Sequence, residues 1–412
     1  MTLDLTRQTS APWDDAHDWW PALTAATHDL DAPVGVLSVE ALASNAYDLL
    51  DRAAGLPIRV ASKSVRVRGV LDAVLELPGY RGILAYTLAE ALWLATDSSE
   101  GRGYGDIVVG YPTADRGALA RLAADEKLAS RVTLMIDDTA QLDLVDAVVA
   151  PGRRAVIRVA IELDVSYRSR ALGHVGVRRS PVHEPAQAEA LAEAIIARRG
   201  FRLVGMMGYE AQIAGVTNAG PRKAAIRAMQ RASTRELAER RAEAVHRVRQ
   251  VTELEFVNGG GTGSIESTHA DSSVTEVAAG SGLFGPHLFD GYTHFHPAPA
   301  AAFALDVVRH PTADIATLLG GGWIASGPPQ PDRVPKVVWP EGLRMLARES
   351  AGEVQTPLRG AAARDLAIGD RVWLRHTKAG ELSEHLAAFA LVEGGTVTGE
   401  LPTYRGEGKV FL

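Results

Sequence analysis

From Val34 to Ala278 the chain alternates short apolar runs with longer stretches whose apolar residues recur at helical spacing. The runs predict strands at Val34–Val39, Ile58–Ser62, Gly82–Tyr86, Asp106–Tyr111, Val132–Ile136, Ala155–Glu162, Arg202–Met207, Glu255–Asn258 and Val274–Ala278. Between them the 3.6-residue period predicts helices such as Ser38–Ala53, Leu88–Ala95, Arg116–Ala123, Pro185–Arg199 and Arg222–Val248. Strands that alternate with helices pair in parallel, because each crossover takes a dozen or more residues. Eight or nine such units over ~250 residues fit a (β/α)₈ TIM barrel better than an open doubly wound sheet. Periodicity by itself does not prove closure, so the open sheet is the alternative. After Pro297 the texture changes: Pro and Gly become frequent, and short β-type runs follow at Ala302–Val308, Lys336–Trp339, Asp370–Leu374 and Ala388–Val392. That pattern predicts a C-terminal antiparallel β domain. The first 33 residues are polar but carry Trp13, Trp19 and Trp20, the mark of a segment that packs on the β domain. The expected class is α/β, with an N-terminal segment at 1–33, a barrel at 34–297 and a β domain at 298–412.

The totals narrow the function. A chain of 412 residues suits one large domain and a smaller one. A net charge of −7 argues against nucleic acid or an anionic membrane as the main partner. The chain has no cysteine, which excludes disulfides, a thiolate nucleophile and Cys-ligated metals. The opening Met-Thr-Leu-Asp-Leu-Thr-Arg is not a basic stretch followed by an apolar one, so no signal peptide is expected. No run approaches the ~18 apolar residues of a membrane span. A cytoplasmic protein is the expectation.

Two stretches carry chemistry. In Leu56-Pro-Ile-Arg-Val-Ala-Ser-Lys63-Ser, a lysine stands where a buried strand should end. An α/β scaffold places its chemistry at that point, although a lysine there can also snorkel to the surface. Much later comes Asn258-Gly-Gly-Gly-Thr-Gly-Ser264, and one strand further Ala279-Gly-Ser-Gly282. Glycines leave backbone amides open and allow positive φ, which suits a phosphate cradle. The spacing matches neither a P-loop nor a Rossmann fingerprint. Glycine-rich turns are often only turns. Two of them on adjacent late strands, with a strand-end lysine early in the chain, make the arrangement a pyridoxal phosphate site requires: a phosphate anchor and an amine for the Schiff base. Arg59 and Arg66 are the cations expected to keep that amine free.

These stretches resemble the fold-type III pyridoxal 5'-phosphate enzymes, the alanine racemase-like barrels, and within them the D-threonine aldolase and D-serine dehydratase group. The resemblance rests on Pro33-Val-Gly-Val-Leu-Ser-Val-Glu-Ala-Leu with Asn45, Arg59-x-x-x-Lys63-Ser, Tyr86-Thr-Leu-Ala-Glu90, Asp106-Ile-Val-Val-Gly-Tyr-Pro112, Gly259-Gly-Gly-Thr-Gly-Ser264, Glu276-x-x-x-Gly280-Ser281 and Asp290-x-Tyr292. They run in the family's order over roughly residues 30–300. The resemblance implies that Lys63 carries the cofactor and that Gly260, Gly261, Thr262, Gly280, Ser281 and Gly282 cup its phosphate. Tyr209 and Arg158 or Arg168 are candidates to line the ring, and a homodimer is implied.

The pattern also departs from the family. The usual lysine segment, Arg-Pro-His-x-Lys-Thr-His, reads Arg59-Val-Ala-Ser-Lys-Ser-Val here. In the aldolases and dehydratases a C-terminal His, and a Cys or Asp two residues later, bind a divalent metal. The matching stretch is Arg375-His376-Thr-Lys378, where His376 suits the first position and Lys378 replaces the second. An ammonium group cannot ligate a metal, so a divalent metal is doubtful. Lys378 could supply the positive charge or a proton instead, and Glu384-His385 could build a different site, although two adjacent residues on a β-strand would face opposite ways. The leading expectation is a lyase on a D-β-hydroxy amino acid, by aldol cleavage or by dehydration and deamination. An amino-acid racemase comes second, with Tyr292 and Tyr404 as possible second acid–base groups, and a pyridoxal phosphate carrier third.

Overall fold

The first strand, β1 (Val34–Ser38), is buried throughout but does not enter the barrel. It pairs antiparallel with residues 301–304 and parallel with residues 390–392. The computed structural model describes residues 3–97, 101–328 and 330–412. They form two compact units that do not follow the division read from sequence at residues 34 and 297. One unit comprises Leu49–Lys63, Pro78–Ala279 and Phe411–Leu412. The other comprises Met1–Asp48, Ser64–Leu77 and Gly280–Val410. A run of apolar residues fixes that β1 is a buried strand, but only pairing decides which sheet takes it.

The first of these units is the barrel. Strands β2 (Ile58–Ala61), β3 (Tyr80–Ala85), β4 (Ile107–Val109), β5 (Val132–Ile136) and β6 (Ile157–Glu162) follow one another in parallel. After β6 the chain makes a small antiparallel hairpin, β7 (Tyr167–Ser169) and β8 (Gly173–Val175), which the sequence pattern did not announce. The barrel resumes with β9 (Phe201–Gly208), β10 (Phe256–Gly259) and β11 (Glu276–Ala279), and β11 closes on β2. The open-sheet alternative is therefore ruled out. Two of the crossover helices start at side-chain caps: Thr87 accepts the Glu90 amide at 3.1 Å, and Asp115 accepts that of Ala118 at 3.0 Å.

Two kinds of filling occupy the barrel. Val108, Met135, Ala160, Val204, Met207 and Phe256 form an apolar cluster. Beside it stands a charged plug. Arg59 is 2% exposed and holds Glu276 through Nε and Nη2 at 2.6 and 2.9 Å, and Asp106 through Nη1 and Nη2 at 2.8 and 3.1 Å. Asn258 adds a hydrogen bond to Glu276 at 2.9 Å.

The other unit is built on a nine-stranded sheet. After β11 come β12 (Ala301–Thr312), β13 (Ile315–Leu319), β14 (Lys336–Trp339), β15 (Arg344–Met345), β16 (Gln355–Arg359), β17 (Arg371–Arg375), β18 (Ala388–Glu393) and β19 (Thr396–Pro402). The main path runs β15-β16-β13-β12-β1-β18-β19, with β17 pairing β12 and β14. All its pairings are antiparallel except β1 with β18. The N-terminal helix Ala16–Ala26 lies on this sheet, with Trp19, Trp20 and Leu23 in one core with Ala302, Ala304 and Trp373. The rings of Trp20 and Trp373 stand 5.9 Å apart. Among the described residues no helix is long and apolar enough to cross a membrane.

Candidate active site

All eight barrel strands run the same way, so their C-terminal ends share one mouth, the usual seat of chemistry in this architecture. Strand β2 ends at Ala61, and the single turn Ser62–Ser64 carries Lys63 just past that end. Ser62 Oγ anchors the turn by donating to the Leu84 carbonyl at 3.2 Å. Lys63 Nζ donates to Tyr111 Oη at 3.0 Å, and Tyr111 stands two residues beyond the end of β4. A lysine after β2 and a phenol after β4, the strands that flank β3, thus meet at the mouth.

Residues 176–182 bring a third group. The Arg179 guanidinium lies over two rings, 5.1 Å from the centroid of Tyr111 and 4.9 Å from that of Tyr209. Its Nη1 is 3.7 Å from Glu162 Oε1 at the end of β6. Each neighbour leaves its mark on ionisation. Burial pushes the Tyr111 phenol up, but the charges of Lys63 and Arg179 outweigh it and hold it below the ordinary phenol range. Burial pushes Tyr209 up to about 12. Burial, joined by Asp137 and Asp164, pushes the Glu162 carboxyl up to about 7 against the pull of Arg179. Perturbed groups clustered at a barrel mouth are the pattern of a reaction site.

The glycine run lies at the same end. Gly259 closes β10, Gly260 has φ +88°, and Gly261 and Thr262 follow. The loop has no room for side chains. A Cβ on Gly259 would lie 2.6 Å from Arg241 Nη1, and one on Gly261 would lie 3.0 Å from both Tyr209 Cε2 and Ala214 Cβ. Buried groups hold it from behind. Glu210, 1% exposed, accepts the Gly260 amide at 3.0 Å and also bonds Thr268 Oγ1. Arg241 joins Asp271 at 2.9 Å and lies 3.8 Å from Glu210. On the other side Arg52 Nε grips Glu266 at 2.6 Å and Arg52 Nη2 donates to the Thr262 carbonyl.

Of the residues named from sequence, the barrel unit therefore brings together Lys63, Tyr209, Gly260, Gly261 and Thr262. Gly280, Ser281 and Gly282 follow β11 directly and open the short helix Ser281–Phe284; they count with the β-rich unit.

Arg158 is a correction. It is the second residue of β6, so its side chain is at the N-terminal end of the barrel, where it holds Glu255 at 3.0 and 2.6 Å and Thr133 at 3.3 Å. The cation at the mouth is Arg179. Arg168 is half-exposed on the hairpin and bonds Asp164 at 3.0 Å. Arg59 points into the barrel, where Glu276 and Asp106 hold it, and Arg66 is paired with Glu384.

His376 and Lys378 belong to the β-rich unit. The His376 ring is buried with neither nitrogen hydrogen-bonded, edge-on to Phe284 at 6.4 Å. Burial holds its pKa below the ordinary imidazole range. Glu381 accepts the backbone amides of Thr377, Lys378 and Ala379 at 3.0, 2.6 and 2.8 Å and shapes their turn. Among the described residues no three His, Asp or Glu side chains gather as a metal cluster. Glu384 and His385 lie on a short helix, Glu381–His385, and not on a strand; His385 stacks on Trp323 at 4.9 Å. Tyr292 and Tyr404 are each 1% exposed, and Tyr292 packs between Phe289 and Phe295.

Sequence reasoning missed Tyr111, Glu162 and Arg179. Tyr111 lay within Asp106–Pro112, and its position just past a strand end was the available signal. Arg179 had none, because an irregular segment carries it to the mouth.

Residues 37–287 match the alanine racemase N-terminal domain family. The chain belongs to that family. Its members are fold-type III proteins that depend on pyridoxal phosphate. Three solved structures share the fold. The chain matches D-threonine aldolase from Filomicrobium marinum with TM-score 0.74 and 19% identity, covering 93% of this chain and 97% of that one. It matches D-threo-3-hydroxyaspartate dehydratase from Delftia sp. HT23 with TM-score 0.68 and 19% identity, over 93% and 98%. Alanine racemase from Corynebacterium glutamicum gives TM-score 0.54 and 18% identity, over 84% and 89%. No curated protein sequence matches significantly. The site of this family member fits the cofactor in its amine at the barrel mouth, at the end that also carries the glycine loop.

Proposed function

We propose that this protein is a pyridoxal phosphate-dependent lyase acting on a D-β-hydroxy amino acid, by aldol cleavage or by dehydration and deamination. The observation that carries the proposal is Lys63 Nζ hydrogen-bonded to Tyr111 at the barrel mouth that also holds the glycine loop. Lys63 would carry the cofactor, Gly260, Gly261 and Thr262 would seat its phosphate with Gly280, Ser281 and Gly282, and Tyr209 would flank it. The cofactor, when bound, supplies a sink for the electron pair released at the substrate α-carbon.

The chain's own groups handle protons and charge. Lys63 is the base at the α-carbon, and Tyr111 exchanges a proton with Lys63 Nζ. Arg179, between Tyr111 and Tyr209, stabilises negative charge on the phenol and offers a guanidinium to a substrate carboxylate. The Glu162 carboxyl takes or releases a proton near neutrality. Two neighbours that share the fold, an aldolase and a dehydratase, favour a lyase. The family match itself favours a racemase as the second reading. His376 and Lys378 would act at the substrate hydroxyl, with His376 a candidate metal ligand. A cytoplasmic homodimer completes the proposal.

The test is an absorption spectrum in the violet, before and after borohydride, for wild type and Lys63→Ala with added pyridoxal phosphate. A band that borohydride removes in wild type and that Lys63→Ala lacks is expected. With D-β-hydroxy amino acids, released aldehyde identifies aldol cleavage, released ammonia dehydration, and inversion alone a racemase. A wild type that stays colourless with added cofactor sinks the proposal.

A further inference from the structure

Next to Tyr111 the barrel unit holds a cavity of about 300 Å³ that the chemistry above does not use. Its walls come from the loops after β3 and β4, with Tyr86, Leu88, Ala89, Tyr111 and Pro112, and from Phe411. Phe411 meets Tyr86 edge-on at 6.5 Å and Trp93 at 5.5 Å, so three aromatic rings face this space and a fourth supports it.

The polar groups around it are already engaged. Thr87 Oγ1 accepts the Glu90 amide, Thr113 Oγ1 accepts the Asp115 amide at 3.2 Å, and Asp115 caps the next helix. Among the described residues, Asp115 is the one charged residue in the lining. The hydroxyl of Tyr111 faces Lys63. The cavity and the lysine site therefore share Tyr111 as a common wall.

We propose that this cavity is the subsite for the substrate's side chain and that it takes a large apolar or aromatic substituent. The inference rests on Lys63 as the cofactor lysine. Size and chemistry both point this way. A water occupies about 30 Å³, so about ten fill the space, and a methyl substituent would leave most of the aromatic wall wet. A ring would displace that water and find edge-on partners in Tyr86 and Phe411. An acidic side chain seated in the cavity would meet the Asp115 carboxylate in its wall, so a β-carboxylate is disfavoured there.

Two titrations test the subsite on the intact protein. With cofactor bound, the visible spectrum reports binding of D-phenylalanine, D-alanine and D-aspartate. D-Phenylalanine is expected to bind at least about tenfold more tightly than D-alanine, with D-aspartate weakest. Ala89→Phe, which fills the cavity, should abolish that preference while leaving D-alanine binding unchanged, and Phe411→Ala should reduce it. Equal binding of D-phenylalanine and D-alanine by wild type, or a preference that survives Ala89→Phe, overturns the subsite. The second titration needs no cofactor. Benzyl alcohol should change tryptophan emission saturably through Trp93, and Ala89→Phe and Trp93→Phe should each abolish the response. A protein that takes no cofactor but gives this response refutes the lyase and retains an aromatic-binding cavity. A protein that gives no benzyl alcohol response refutes the cavity, whatever the cofactor does.

Discussion

Replacing Arg59 by Met should destabilise the barrel more than any other single change near the site. Arg59 lies four residues before Lys63 on β2, and its guanidinium ties β2 to β11 through Glu276 and towards β4 through Asp106. The Glu276 side chain is 6% exposed, so without Arg59 its carboxylate is left buried with only Asn258 as partner. Breaking a buried pair from one side costs about 3–5 kcal/mol. The Asp106 side chain is 37% exposed and adds little, since solvent screens it. Against a total stability of roughly 5–15 kcal/mol, such a loss is large. Removing both partners removes the orphaned charge, so Arg59→Met with Glu276→Leu should recover most of the loss. The assay is guanidinium unfolding followed by circular dichroism, with hydrogen exchange at residues 58–61 to isolate β2, because two units need not unfold as one. If Arg59→Met changes stability by less than about 1 kcal/mol, or the double variant loses the sum of the single losses, the charged plug is not what holds these strands.

Other consequences are as direct. The Glu162 carboxyl is raised from 4.5 to about 7, so its protonated form favours the folded state. That stability is complete below pH 4.5, is lost as pH rises through about 7, and amounts to roughly 3 kcal/mol. Glu162→Gln should flatten unfolding free energy against pH over that window; an unchanged slope refutes the assignment. Gly261→Val would push a side chain against Tyr209 and Ala214, so cofactor affinity measured by absorption should fall while circular dichroism stays the same. Wild-type affinity in that variant would remove the loop from the phosphate site. Trp20→Ala empties a core position 4% exposed beside Trp373 and should cost about 3–5 kcal/mol, seen as a lower midpoint in thermal unfolding. An unchanged midpoint would show that the N-terminal helix contributes nothing to that unit.

The sequence by itself determined what is local. Apolar runs and helical period recovered all eight barrel strands within a few residues, because strand and helix patterns repeat over short stretches. Lys63 was legible for the same reason, standing where an apolar run ends, and so was the glycine run, since its backbone freedom is written in the residue type. Pairing is not local, and that is where reading failed. Val34–Ser38 looks like any other buried strand, but hydrogen bonds to residues 301–304 and 390–392 place it in the nine-stranded sheet. Arg158 and Arg179 are equally plausible cations in one dimension. Strand direction sends the first to the bottom of the barrel, and the segment after the β7–β8 hairpin carries the second to the mouth. The partner of Lys63 was decided last, by closure: β2 and β4 are separated along the chain by some 45 residues, and only the curvature of a closed parallel barrel sets Tyr111 within 3.0 Å of that amine.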